Sequence, residues 1–258
     1  MLTVGIDLAA EPERTGVAWI SWMPGRAVIT DVTCGADDQV ILHAISSAGK
    51  AGIDCPLGWP EDFVAFITAH ENATAAAPAG GTGREWRRRL TTRLTDRVVR
   101  ERTGLVPLSV AADRIGYVAL RCAGLLALLA QQGQPVDRSG SGTVAEVYPA
   151  ASLQRWGLPH RRYKGTSDAS ALGQVLDQLK AKAGWLEFGP HEDLCRQSHD
   201  AADAVIAALT ARAAARRLTI APGAQQLPAA RKEGWIAIPD EASLPLLPDP
   251  GPSPCPAR

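Results

Sequence analysis

Residues 3–9, Thr-Val-Gly-Ile-Asp-Leu-Ala, limit the fold of this chain more than any other stretch. Thr3, Val4 and Ile6 are β-branched and favour a strand, and Gly5 thins the backbone just before an acid. Asp7 then interrupts an apolar run, where an unpaired carboxylate costs several kcal/mol. It is either a buried acid capping a nearby loop or a carboxylate presented at a strand end to a metal or a phosphate. Acids further along the chain favour the second reading.

Residues 15–22 and 26–34 read as second and third strands around a Met-Pro-Gly-Arg turn, which makes the N-terminus an antiparallel meander. Asp37 or Asp38 is placed to cap a helix that buries Val40, Ile41, Ala44 and Ile45. Residues 51–55, Ala-Gly-Ile-Asp-Cys, form a short fourth strand. After a helical crossover that strand is expected to run parallel to the first. Asp7 and Asp54 then share the C-terminal edge of the sheet, the edge at which open α/β sheets bind ligands.

Residues 60–142 read as a helical insertion. It contains an Ala/Gly-rich loop (73–83), an arginine-rich helical stretch (84–102) and an apolar helix (109–132). Residues 143–149 make a fifth strand holding Glu146, and residues 198–218 a last long helix. Asp200 and Asp203, three apart near its start, project from one face, and Ala201, Ala202, Ala204, Ala207 and Ala208 allow it to lie close on the sheet. Residues 1–239 are read as one α/β domain with a mixed five-stranded sheet, three antiparallel strands followed by parallel ones, flanked by helices. The Pro-rich stretch 240–258 is expected to be disordered.

Composition narrows the partners. Formal net charge is zero over 258 residues, so a nucleic-acid surface has to be local. Five scattered cysteines with no C-x-x-C pattern argue against a disulfide framework or a cysteine zinc site. The apolar run 122–130 is too short to span a bilayer and the N-terminus lacks a basic leader, so the expectation is a cytoplasmic protein with no membrane partner.

Four aspartates pressed together at one edge form a like-charge cluster, stable only with protons or metal bound. Oxygen-only ligands point to Mg²⁺ or Mn²⁺. Two such ions, roughly 3.5–4 Å apart, suit phosphodiester hydrolysis. Gly5-Ile-Asp7, the acid closing strand four and Asp200-Ala-Ala-Asp203 resemble the ribonuclease H-like superfamily, the last helix being similar to that of Holliday-junction resolvases. Residues 53–58 (Ile-Asp-Cys-Pro-Leu-Gly), 93–97 (Arg-Leu-Thr-Asp-Arg), 146–149 (Glu-Val-Tyr-Pro) and 233–236 (Glu-Gly-Trp-Ile) resemble a broad group of predicted ribonuclease H-like nucleases. The resemblance implies Asp7, Asp54, Asp200 and Asp203 as metal ligands and catalytic residues, and DNA or RNA as substrate.

Glu146 departs from the resolvase pattern. It either joins or replaces Asp54 in catalysis, or pairs with an arginine of the insertion. Arg93 and Arg97 are expected to reach substrate phosphate, with Lys164, Tyr148 and Trp59 along the cleft and His199 beside the ligand pair. Competing readings are a fold-retaining binding protein without activity and an actin-like phosphotransferase, the latter disfavoured because only one such domain fits the length. A homodimer is the assembly to test for.

Overall fold

The computed structural model describes residues 1–134, 136–164 and 169–250. Strands β1 (Leu2–Asp7), β2 (Gly16–Met23), β3 (Arg26–Cys34), β4 (Lys50–Ile53), β5 (Val144–Glu146) and β6 (Leu186–Glu187) form one mixed sheet in the order β5-β4-β1-β2-β3-β6. β1, β2 and β3 are antiparallel neighbours, whereas β4 joins β1, β5 joins β4 and β6 joins β3 in parallel. The sheet therefore has six strands where five were expected. Two residues are too few to carry a period-two pattern, so β6 leaves no signal in the sequence.

Helices α1 (Asp38–Ser47), α2 (Glu61–Glu71), α3 (Arg84–Thr91), α4 (Leu94–Thr103), α5 (Ile115–Gln131), α6 (Pro149–Arg155), α7 (Ala169–Lys182), α8 (Glu192–Gln197), α9 (His199–Ala215) and α10 (Leu227–Glu233) complete the chain. Asp37 caps α1 by accepting from the Val40 N–H at 2.9 Å. The arginine-rich stretch is broken into α3 and α4, because Thr92 and Arg93 adopt extended backbone between them. Residues 60–142, expected to be helical, hold α2 to α5. No helix among the described residues is long and apolar enough to cross a membrane.

Strand alternation sorts the sheet into two faces. Val4, Ile6, Val17 and Ile53 pack with Ile41, Ile45, Leu125 and Leu129 on the α1/α5 face. On the other face lies α9, buried along almost its whole length and packed with Ile20, Trp22, Leu176 and Leu179. Three adjacent strands carry glycine beneath that helix. A Cβ on Gly5 would stand 1.9 Å from the Ala204 carbonyl oxygen, on Gly52 2.6 Å from that of Ala207, and on Gly16 2.4 Å from that of Asp200. Glycine below and alanine above bring helix backbone onto strand backbone, and this drives the N-terminus of α9 against the carboxyl ends of β1 and β4.

The C-terminal expectation needs correction. Leu244 and Leu247 are buried in the α9-side core, and Asp249 ion-pairs with Arg212 at 2.7 Å and Arg216 at 2.6 Å. Proline-rich composition hid two apolar anchors. Residues 251–258 of the expected disordered tail lie outside the described residues.

Candidate metal centre

Gly5-Ile6-Asp7 and Gly52-Ile53-Asp54 are the same tripeptide on neighbouring parallel strands, in register, with Gly5 opposite Gly52 and Ile6 opposite Ile53. The ladder continues one residue further, since the Asp54 N–H donates to the Ile6 carbonyl at 2.8 Å. Each glycine faces α9, so the acid two residues later faces the same way. α9 supplies the third carboxylate: Ser198 caps the helix by accepting from the Ala201 N–H, and Asp203 follows in the first turns. Asp7, Asp54 and Asp203 each place a ligand oxygen within 4.8 Å of the others. Asp7 belongs to a second set of the same tightness with His199 and Asp200.

Asp203 is 0 % exposed. Tyr163 donates its hydroxyl to Asp203 Oδ1 at 2.9 Å, and Lys164 Nζ ion-pairs with Asp203 Oδ2 while standing 3.9 Å from Asp54 Oδ2. One lysine thus faces three carboxylates. Burial, then Asp203 and Asp54, raise the Asp7 pKa well above the carboxylate range. Asp54 is pushed up to about 7 by burial, against the pull of Lys164 and with a further push from Asp203. Burial works against the charge of Lys164, but Asp203, Asp54 and Asp7 outweigh it and raise its pKa. Its side chain keeps 43 % exposure, so solvent weakens this compensation. The centre therefore retains negative charge that only protons or a cation can balance.

Asp200 sits at the outer side. His199 Nδ1 lies 2.8 Å from its Oδ1, and the exposed Arg14 donates to its Oδ2 at 3.2 Å. Arg14 gives no local sign of this role, because it follows β1 in a short turn and meets the helix only in three dimensions.

Glu146 is not among the clustered acids. It pairs with Ile53 across β4 and β5, one residue out of phase with Asp54, so its side chain leaves by the opposite face. There Arg93 Nη1 and Nη2 donate to its two oxygens at 2.8 and 2.7 Å, and the Leu57 N–H donates to Oε2 at 3.0 Å. Arg93, only 1 % exposed, also bonds Asp96 through Nε (3.3 Å) and Nη2 (2.8 Å) and the Glu233 carbonyl through Nη1 (3.1 Å). All five of its N–H donors are engaged. The motifs at 93–97, 146–149 and 233–236 are thus the parts of one buried ion-pair node: Glu146 takes the second of its two expected places, paired with an arginine of the insertion, and Arg93 spends its donors within the protein.

Arg97 is exposed on α4 and lines a separate depression of about 170 Å³ with Arg88 and Arg100. Trp59 lines an apolar groove between α2 and α5 instead of the cleft. Tyr148 and Lys164 do line a cleft of about 450 Å³ that reaches Asp54. Arg114, His160, Arg162 and Tyr163 line it as well, and none was singled out from the sequence.

Compared with known proteins, residues 5–229 match the family model described as Protein of unknown function (DUF429). No curated protein and no solved structure matches the chain.

Proposed function

The chain belongs to that family, and within it we propose a divalent-cation-dependent nuclease of ribonuclease H-like architecture that hydrolyses phosphodiester bonds in nucleic acid. The observation that carries this reading is the convergence of Asp7, Asp54 and Asp203 within 4.8 Å at the carboxyl edge of β1 and β4. The β5-β4-β1-β2-β3 order, with an antiparallel meander and then parallel strands, supports the architecture.

The donor set fits a hard cation. It offers carboxylate oxygens held on rigid elements, among them Asp54, whose pKa burial raises to about 7 and whose ionised form a bound cation would favour. Asp7, Asp54 and Asp203 would hold one Mg²⁺ or Mn²⁺, and Asp7 with Asp200 a second. Such ions supply charge stabilisation at a phosphoryl group and acidify a water molecule. Tyr163 orients Asp203 by fixing Oδ1. Lys164 balances charge between Asp203 and Asp54 and presents an ammonium toward an approaching phosphate. His199, beside Asp200, is placed to carry a proton away from the outer side.

The position of Lys164 also favours a second reading, in which the fold binds nucleic acid without turnover and the ammonium stands where a cation would. One experiment separates them. Wild type, Asp7→Asn and Asp203→Asn are incubated with branched DNA, duplex, single strands and structured RNA in Mg²⁺ or Mn²⁺, beside calorimetric titration of each ion. Cation binding and cleavage by wild type, both lost in the variants, is the expected result. Strand binding without cleavage favours the second reading, and absence of ion binding at millimolar concentration overturns the first.

A further inference from the structure

The cleft beside Asp54 has the build of a ligand site and extends beyond the acid cluster it opens from. Its volume of about 450 Å³ falls within the usual range for small-molecule pockets. Tyr148, Ile115, Val106 and Leu108 give it an apolar wall, while Asp54 and Lys164 connect it to the acid cluster. Arg114 and Arg162 stand on its rim, exposed, and among the described residues neither makes a hydrogen bond or an ion pair. Other arginines near the sheet are tied down: Arg14 on Asp200, Arg93 on Glu146 and Arg121 on Asp38. Arg162 has φ 60°, a left-handed conformation uncommon for a residue with a side chain. Such backbone strain concentrates at binding and catalytic sites.

We infer that this cleft receives one unpaired nucleotide of the substrate strand, its base against Tyr148 and Ile115 and its phosphate on Arg114 and Arg162. The inference rests on the nuclease reading above and names its substrate class as single-stranded or locally unpaired nucleic acid. Unpaired bases stack on aromatic rings and arginine planes, and free guanidiniums take phosphate in a bidentate fork. A base held in a duplex stack cannot enter a cavity of this size without leaving the stack. The pocket mouth at Asp54 and Lys164 then sets the adjoining phosphodiester over the acid cluster.

The test is calorimetric binding of a nucleoside monophosphate and of a short single-stranded oligonucleotide to the full chain without divalent ions. Wild type is compared with the double variant Arg114→Ala/Arg162→Ala. Both arginines are exposed and unpartnered, so the variant keeps its fold, checked by an unchanged melting temperature. The expected result is binding of both probes by wild type, weakened about tenfold or more in the variant, with Mg²⁺ affinity unaltered. Wild type should also cut the single strand in preference to the duplex. Mg²⁺ binding and duplex cleavage with no affinity for either probe overturns the pocket and leaves the nuclease reading intact. Probe binding that the double variant loses, with no Mg²⁺ binding and no cleavage, upholds the pocket and removes the nuclease reading. Equal binding by wild type and variant overturns the inference.

Discussion

Asp54 is the residue at which structure and solution behaviour connect most directly. Its carboxyl, raised to about 7, titrates near 3.9 once the chain unfolds. Between those values the folded state holds more protons than the unfolded one, so stability falls as pH rises through that window and levels off above it. In chelator, the melting temperature of wild type is expected to drop from pH 5 to pH 8 relative to Asp54→Asn. In millimolar Mg²⁺ that relative drop should shrink, because the ion stabilises the ionised form. A wild-type minus variant difference that does not change with pH rules this account out. Lys164→Met carries a companion prediction. It leaves Asp203 buried without its cation, so the variant should melt lower than wild type in chelator and recover with Mn²⁺ more than wild type does. The Arg93–Glu146 pair differs from these in being buried and fully matched in charge. Glu146→Leu leaves the buried Arg93 with Asp96 as its one carboxylate and the Leu57 N–H unpaired, and should cost about 3–5 kcal/mol. Replacing the whole buried charge set by adding Arg93→Met and Asp96→Leu should restore much of that in denaturant titration, an outcome no catalytic role for Glu146 predicts.

Among the elements, α9 decides the geometry of the centre. Its alanines and the glycines of β1, β2 and β4 fit together with no space for a methyl group, since the atoms met at 1.9–2.6 Å are backbone. Gly5→Ala and Gly52→Ala must push the helix off the sheet. The expected loss is about 1–3 kcal/mol or more for each, with Gly5→Ala the worse. Because Asp200 and Asp203 ride on the same helix, Mg²⁺ affinity should fall along with stability, which titration of the folded fraction would detect. An exposed glycine such as Gly184, with nothing near its Cβ position, is the control that should tolerate alanine. α5 contributes from the other face: Arg121 donates to the Ala9 carbonyl and the Thr15 hydroxyl and pairs with Asp38, holding the turn that follows Asp7.

At the scale of the whole molecule, the sheet separates two cores, and the C-terminal residues finish one of them. Leu244 and Leu247 close the side containing Trp22 and Trp156, Trp156 donates to the Ser243 hydroxyl at 2.9 Å, and Arg212 lies 4.8 Å from the Trp22 ring while pairing with Asp249. Ending the chain at Pro239 removes both leucines and unpairs a buried arginine. Burial of two leucines at about 1.5–3 kcal/mol each sets the scale of the loss. Thermal unfolding of the truncated chain should show a clear drop.

The sequence by itself determined what depends on short-range periodicity and on local chemistry. Alternation and turn residues marked the meander, the capping aspartate marked α1, and Gly-Ile-Asp at two strand ends placed Asp7 and Asp54 at one edge. A run of alanines after Asp200 marked a helix that had to lie close. What only the tertiary structure decided is which side chains meet after the chain closes on itself. A one-residue phase difference sends Glu146 to the face opposite Asp54, and no local pattern reports register between strands nearly a hundred residues apart in sequence. Tyr163 and Lys164 enter the acid cluster, and Arg114 and Arg162 the cleft, from loops whose positions are fixed by long-range packing. Leu244 and Leu247 are buried because they meet a core assembled from distant segments of the chain. Local propensity encodes the elements; complementary surfaces between distant segments select the site.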